Sequence, residues 1–369
     1  MNWYIIIFAV LSIILFVISQ YYRLKLESQN DKIEAFQNKI QLQNDYESLS
    51  TSEKLRKTHK LAIRFVEPDE TADYLKRNSP YIIAMNQPNL IARGCASQDE
   101  LFNKYLASLD IITETEREMV NLAILDMLNK IQSRDLHYYN YLVSWIRKIG
   151  IAKAKPWLEG GMPHTLENIM IMDVGWFKSP RINTFIHELT HIHQRQISFE
   201  FDDLYNELGY IRTGDGEDIG IRGIEGLLLL NRNNPDGMSP NWIWKSQMKN
   251  DVSGGGDLFW IGAVFFNAIP NSLLDVDNIA VRINKGVDGE LYYLKQQPMK
   301  LANLKEFTAF FGGDNVNNYH PNEMSARYAE IYCNDILGGS NDRGLSGQDK
   351  FPGYRIYKQH MEKLIKTYY

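Results

Sequence analysis

The run His187-Glu188-Leu189-Thr190-His191 is the part of this 369-residue chain whose residue types and spacing point most directly to chemistry. On a helix, positions four apart share a face, with Cβ atoms about 5–6 Å apart. Two imidazoles so placed can bring nitrogen atoms to one Zn2+ at roughly 2.0–2.1 Å each. Glu188 follows the first histidine. Its carboxylate can reach a water at the ion without being a ligand, which makes it the candidate general base. Chance yields on the order of 0.01 such matches in a chain of this composition.

A catalytic zinc takes three protein ligands and keeps one position open. The leading candidate for the third is Glu323, in Tyr319-His320-Pro321-Asn322-Glu323-Met324-Ser325-Ala326. Pro321 opens a helix there, Glu323 sits in its first turn, and small Ala326 one turn on allows close approach of another helix. Glu207 is the runner-up, and Asp215 and Asp218 follow. A carboxylate-bridged di-iron site would need two Glu-x-x-His pairs. Only Glu188-His191 has that spacing: His59, His137, His164, His193, His320 and His360 all lack a Glu three residues upstream. His193 lies about 200° around the helix from His191 and reads as a packed or surface histidine.

These residues must be positioned by surrounding elements. Ser179-Pro180 suits the start of the motif's helix, with Ile182, Phe185, Ile186 and Leu189 as its apolar stripe. Ile169–Met172 is a fully apolar strand just before it, and Lys153–Pro163 reads as a loop. Further upstream, Leu61, Ile63 and Phe65 alternate as a strand would, and Tyr81–Met85 is a second short apolar run. Ser97 with Glu100 and Thr113 with Glu116 have capping-box spacing ahead of helical stripes. Tyr138–Ile149 reads as a helix closed by Gly150. Residues 211–300 read as loop-rich, with TGDGED, NRNNPDGMSPN and SGGGD. The helix opened by Pro321 stops at Gly338-Gly339.

Composition sets the frame. Hydrophobic residues make up 44% and charged residues 23%, ordinary globular values that exclude a disordered, collagenous or polytopic membrane chain. A net charge of −5 argues against nucleic acid as a partner. Two cysteines, Cys95 and Cys333, read as free buried thiols. Residues 3–20 are almost wholly apolar and flanked by Trp3, Tyr4, Tyr21 and Tyr22, which predicts an uncleaved transmembrane anchor. Arg23 and Lys25 follow it, so the positive-inside rule puts the large domain on the cytoplasmic side. The expected layout is therefore a membrane anchor over 1–22 and a polar helical stalk over 23–58. A subdomain over 59–210 carries the motif helix, and one over 211–369 supplies the third ligand.

With these residues in place, the chain resembles the gluzincin group of zinc metallopeptidases over roughly residues 160–335. His187, Glu188 and His191 match that group's HExxH motif, and Asn322-Glu323-x-x-Ala326 matches its second motif. The resemblance implies an α+β zincin-like domain: a small sheet plus the HExxH helix, with a mainly helical C-terminal subdomain. It implies one Zn2+ held by His187, His191 and Glu323, hydrolysis of a peptide or protein substrate, and Glu188 as general base. It also implies that Ile169–Met172 is the edge strand along the cleft and that His164 lines it. Tyr319, His320 and Tyr328 are the candidates for transition-state or supporting contacts. The stretch between His191 and Glu323, over 100 residues, is longer than in thermolysin-like enzymes.

Overall fold

The computed structural model describes residues 51–75, 79–214, 219–236, 241–246, 256–312, 319–339 and 351–369. The chain divides into two compact units, Met1–Thr58 and His59–Tyr369. Of the first unit, the structure describes residues 51–58, in helix Thr51–His59.

No described helix is long and apolar enough to cross a membrane. The longest, Glu114–Gln132, has 19 residues but carries Glu114, Glu116, Arg117, Glu118, Asp126 and Lys130. On that finding the expectation of a single-pass membrane protein is corrected. The expected anchor at residues 3–20 and nearly all of the expected stalk lie outside the described residues.

The second unit opens with helices and then builds a four-stranded sheet. Ser97 accepts a hydrogen bond from the Glu100 amide and starts helix Gln98–Ser108. Thr113 and Glu116 form a reciprocal capping box at the head of Glu114–Gln132, a feature worth about 1 kcal/mol. Asp135 caps Leu136–Ile146. The strands are β1 (Leu109–Asp110), β2 (Gly150–Ala154), β3 (His164–Leu166) and β4 (Ile169–Asp173), in the order β1-β2-β4-β3. β2 and β4 run parallel, while β1 and β3 are antiparallel edges. Ile169–Met172 is therefore an interior strand, and the edge is β3. A tight turn through Glu167, at φ 51°, folds β3 back along β4. Gly150 begins β2 rather than ending a helix; a Cβ there would sit 2.3 Å from a Val66 methyl. Leu61–Phe65 contributes only one bridge, Phe65 to Ile151, and Tyr81 lies in the short helix Pro80–Ile83.

The C-terminal half departs furthest from expectation. It is not mainly helical: residues 210–300 form a seven-stranded sheet. Its strands are β5 (Tyr210–Arg212), β6 (Ile221–Arg222), β7 (Trp242–Lys245), β8 (Leu258–Phe265), β9 (Val276–Lys285), β10 (Leu291–Tyr293) and β11 (Met299–Lys300). Their order is β5-β7-β8-β9-β10-β6, with β11 also on β9. β8 is buried from Phe259 onward, so it shows no polar alternation. Gly262 in β8 leaves room for the Trp260 ring, which a Cβ would meet at 2.3 Å. Helices Lys305–Phe311, Pro321–Leu337 and Pro352–Tyr368 complete the unit. Cys95 and Cys333 are free and buried.

Candidate metal centre

The HExxH helix runs from Ile182 to Gln196. Its start is set by the segment before it. Asp173 caps the short helix Val174–Lys178, Ser179 ends that helix, and the Trp176 indole donates to the Arg181 carbonyl at 3.2 Å. Arg181 occupies the N-cap position without a side-chain cap. Every residue from Phe185 to Gln194 is buried, because the helix packs against β3 and β4 as well as against helix Pro321–Leu337. In the latter, His320 Nδ1 accepts from the Asn322 amide at 3.1 Å, and Pro321 fills the first turn. Ser325 and Ala326 are both fully buried, small enough to let the two helices approach closely.

That approach brings three ligand atoms together. His187 Nε2 lies 3.2 Å from Glu323 Oε2, and His191 Nε2 lies 3.8 Å from Glu323 Oε1. Atoms of all three residues fall within 4.8 Å of one another. Two ligands bound tetrahedrally at roughly 2.1 Å to one ion lie about 3.4 Å apart, so the donor set matches a small cation. The ring tautomers agree. His187 Nδ1–H donates to Glu330 Oε1 at 2.8 Å, and His191 Nδ1–H donates to Gln194 Oε1 at 2.8 Å. Gln194 Nε2 in turn donates to the Asn322 carbonyl and Ser325 Oγ, which fixes its amide orientation. With Nδ1 so engaged in each ring, Nε2 is the nitrogen aimed at the cluster. His191 Nε2 and Glu188 Oε2 are buried with no hydrogen-bond partner among the described residues. Such orphans are costly in a core and fit an ion-and-water site.

Charge in the ion-free chain follows the same geometry. Burial pulls His187 down, but its bonds to Glu323 and Glu330 outweigh this and hold it well above the ordinary imidazole value. His191 is lowered, chiefly by burial. Burial alone would raise Glu323, yet the hydrogen bond from His187 and the nearby His191 bring it down to about 2. Burial, then Asp236 and Glu323, push Glu188 well above the usual carboxylate range.

A cavity of about 270 Å3 opens on this cluster, lined by His187, Glu188 and Glu323 together with Arg93, Glu159 and His164. Its wall includes residues 232–236, an extended segment read from sequence only as loop. Asn234 Nδ2 donates to Glu323 Oε1 at 2.9 Å and to the Tyr319 hydroxyl at 3.0 Å, and Arg232 Nη2 donates to the same hydroxyl at 3.2 Å. Tyr319 and His164 thus lie at the cavity. The other candidates do not line it. His320 caps its helix. Tyr328 donates to the Phe311 carbonyl and packs at tilted angles against Tyr354 and Tyr357. Glu207 is exposed and pairs with His360 at 3.5 Å. Asp215 and Asp218 lie outside the described residues. His193 is buried against Trp145 and Phe201, bonded to the Tyr141 hydroxyl at 2.7 Å, and burial takes it down to about 3.

Four residues that bond around this site carry weak or no signal in the sequence. Glu330 lies two turns after Glu323, on the same helix face, and that spacing is a usable signal. Gln194, one turn past His191, carries a weaker one. Arg232 and Asn234 sit in a segment with no periodicity, and nothing local marks them. Comparison with protein-family models, with curated proteins and with solved structures finds no match to this chain.

Proposed function

We propose that this protein is a zinc-dependent metallopeptidase. The observation that carries the reading is the convergence of His187, His191 and Glu323 beside a buried, partnerless Glu188 oxygen at a cavity. A donor set of two imidazoles and one carboxylate, with an open side, suits catalytic Zn2+ held by those three residues. When bound, the ion supplies a Lewis acid that acidifies water and polarises a carbonyl.

The chain's own groups do the rest. Glu188 takes a proton from the attacking water as its oxygen bonds to the carbonyl carbon. Glu188 then delivers that proton to the amide nitrogen as the C–N bond breaks, yielding an acid and an amine. The Tyr319 hydroxyl already accepts from Asn234 and Arg232, which leaves its own proton free to donate to the developing oxyanion. Burial, reinforced by Glu323, raises Tyr319 to about 12, so it keeps that proton at neutral pH. Glu330 and Gln194 hold the two imidazoles in register.

The test is Glu188→Gln. The variant should bind one zinc as the parent does and lose peptide hydrolysis by about 10²–10⁴-fold. Normal turnover with zinc retained would contradict the proposal.

A further inference from the structure

We infer that the cavity takes the carboxylate end of a short peptide, held by Arg232, and does not take an extended polypeptide laid along β3. This rests on the metallopeptidase reading and names the substrate class of that site.

An extended chain adds to a sheet by bonding the outward-facing amides of an edge strand. β3 is three residues long, and its outward amide at Thr165 is already spent. Thr165 N donates to Asp236 Oδ1 at 2.8 Å, and Thr165 Oγ1 donates to the same oxygen at 2.6 Å. Arg195, from the last turn of the HExxH helix, locks this contact. It donates to the Asp236 carbonyl at 3.0 Å, to Thr165 Oγ1 at 2.6 Å and to the Glu167 carbonyl at 3.0 Å. Asp236 is 4% exposed.

The segment carrying Asp236 is pinned along its length. Asn89 Nδ2 donates to the Asn231 carbonyl at 2.9 Å, and the Asn233 amide donates back to Asn89 Oδ1 at 2.8 Å. Arg93 Nη2 donates to the Asn233 carbonyl at 2.7 Å, and the Arg232 amide to the Ala263 carbonyl at 2.7 Å. Lifting it would break all of these at once, so it acts as a wall. The space it leaves, about 270 Å3, lies at or below the low end of the roughly 300–1,000 Å3 usual for small-molecule sites.

Charge then identifies what enters. Arg93 in the same wall is neutralised by Glu159 at 3.0 Å. Arg232 is half-buried and has no carboxylate within ion-pair distance among the described residues. Among the described residues its guanidinium donates to the Leu273 carbonyl at 3.3 Å and the Tyr319 hydroxyl at 3.2 Å and to nothing else. A planar cation left with spare donors at this cavity matches a carboxylate. One hydroxyl separates it from the residue that holds Glu323, which sets the carboxylate close to the bond to be broken.

The experiment uses the zinc-loaded Glu188→Gln chain, whose complexes do not turn over on the proposed mechanism. Titration calorimetry compares N-acetyl-trialanine as free acid, as C-terminal amide, and as an amide carrying one Asp side chain. The free acid should bind about tenfold or more tighter than either amide. Arg232→Gln should erase that preference with zinc stoichiometry unchanged, and Arg232→Lys should retain part of it. In the wild-type chain, a decapeptide blocked at both ends should be cleaved far more slowly than the tripeptide acid. Equal binding of acid and plain amide, binding of neither, a preference that survives Arg232→Gln, or ready cleavage of the blocked decapeptide would each overturn the inference. Equal binding of the Asp-bearing amide and the acid would reassign Arg232 to an acidic side chain and overturn the chain-end claim. If the binding preference holds but the wild-type chain cleaves nothing, the peptidase reading fails and the recognition stands.

Discussion

Two buried carboxylates, Glu159 and Glu188, line one cavity, and they differ in whether both of their oxygens are bonded. Glu159 Oε1 accepts from Tyr81 and Tyr105 at 2.7 Å each and from Arg93 at 3.0 Å, and Arg93 donates onward to the Asn89 and Asn233 carbonyls. Both oxygens of Glu159 and the Arg93 guanidinium are bonded, while His164 Nε2 beside them is buried with no hydrogen-bond partner among the described residues. In the motif cluster, His191 Nε2 and Glu188 Oε2 are equally buried and make no bond among the described residues. A buried charge with every lone pair used stabilises the chain's shape. A buried donor set with lone pairs converging on one point is arranged for something that arrives later. Residue type and burial alone would not separate the two.

The largest effects should separate them most sharply. Glu188→Gln should remove activity by the factor given above while leaving the thermal midpoint of the ion-free chain within a few degrees of the parent. Glu159→Gln should do the reverse. It strands the Arg93 guanidinium in the core, at a cost of about 3–5 kcal/mol in denaturant unfolding, with zinc stoichiometry unchanged in the folded fraction. A stable Glu159→Gln chain or an unfolded Glu188→Gln chain would erase the distinction.

Smaller effects sharpen it. Glu330→Gln keeps shape but weakens the acceptor for His187 Nδ1–H, and zinc affinity measured by chelator competition should fall about 10–100-fold. Gln194→Ala should act the same way through His191. The pH dependence on the Glu159 side has a defined sign. Burial alone would raise this carboxyl, but the Arg93 charge, helped by His164 and the hydrogen bonds, lowers it below its ordinary 4.5. A depressed acid contributes stability that is complete above the unfolded value and fades as pH falls through the folded one. Unfolding free energy should therefore decline below about pH 4.5, and that decline should be shallower in Glu159→Gln.

What could be read from sequence follows the range over which each signal acts. Helical period, capping pairs and the four-residue histidine spacing are local, and they mark the HExxH helix and helix Pro321–Leu337 with Glu323 in its first turn. Even there the start was displaced: Ser179 and Pro180 look like a helix opening, yet they follow a separate short helix capped by Asp173, and the motif helix begins only at Ile182. The seven-stranded sheet was illegible for two reasons. β8 is buried from Phe259 onward and so lacks alternation, and the Gly- and Asn-rich runs TGDGED, NRNNPDGMSPN and SGGGD dominate the composition of residues 211–300. The cavity wall at 232–236 was illegible because its residues act through partners far away in sequence, such as Asn89 and Glu323. An interior β4, where an edge strand was expected, likewise depends on pairing with β2 and on the hairpin to β3.

The most direct test of the account is anomalous diffraction at the zinc absorption edge from crystals of the zinc-loaded chain. The account predicts one strong peak per chain, about 2.0–2.2 Å from His187 Nε2, His191 Nε2 and a Glu323 oxygen. Absence of a peak at full zinc occupancy in solution, or a peak held by other residues with Glu323 unengaged, would contradict it.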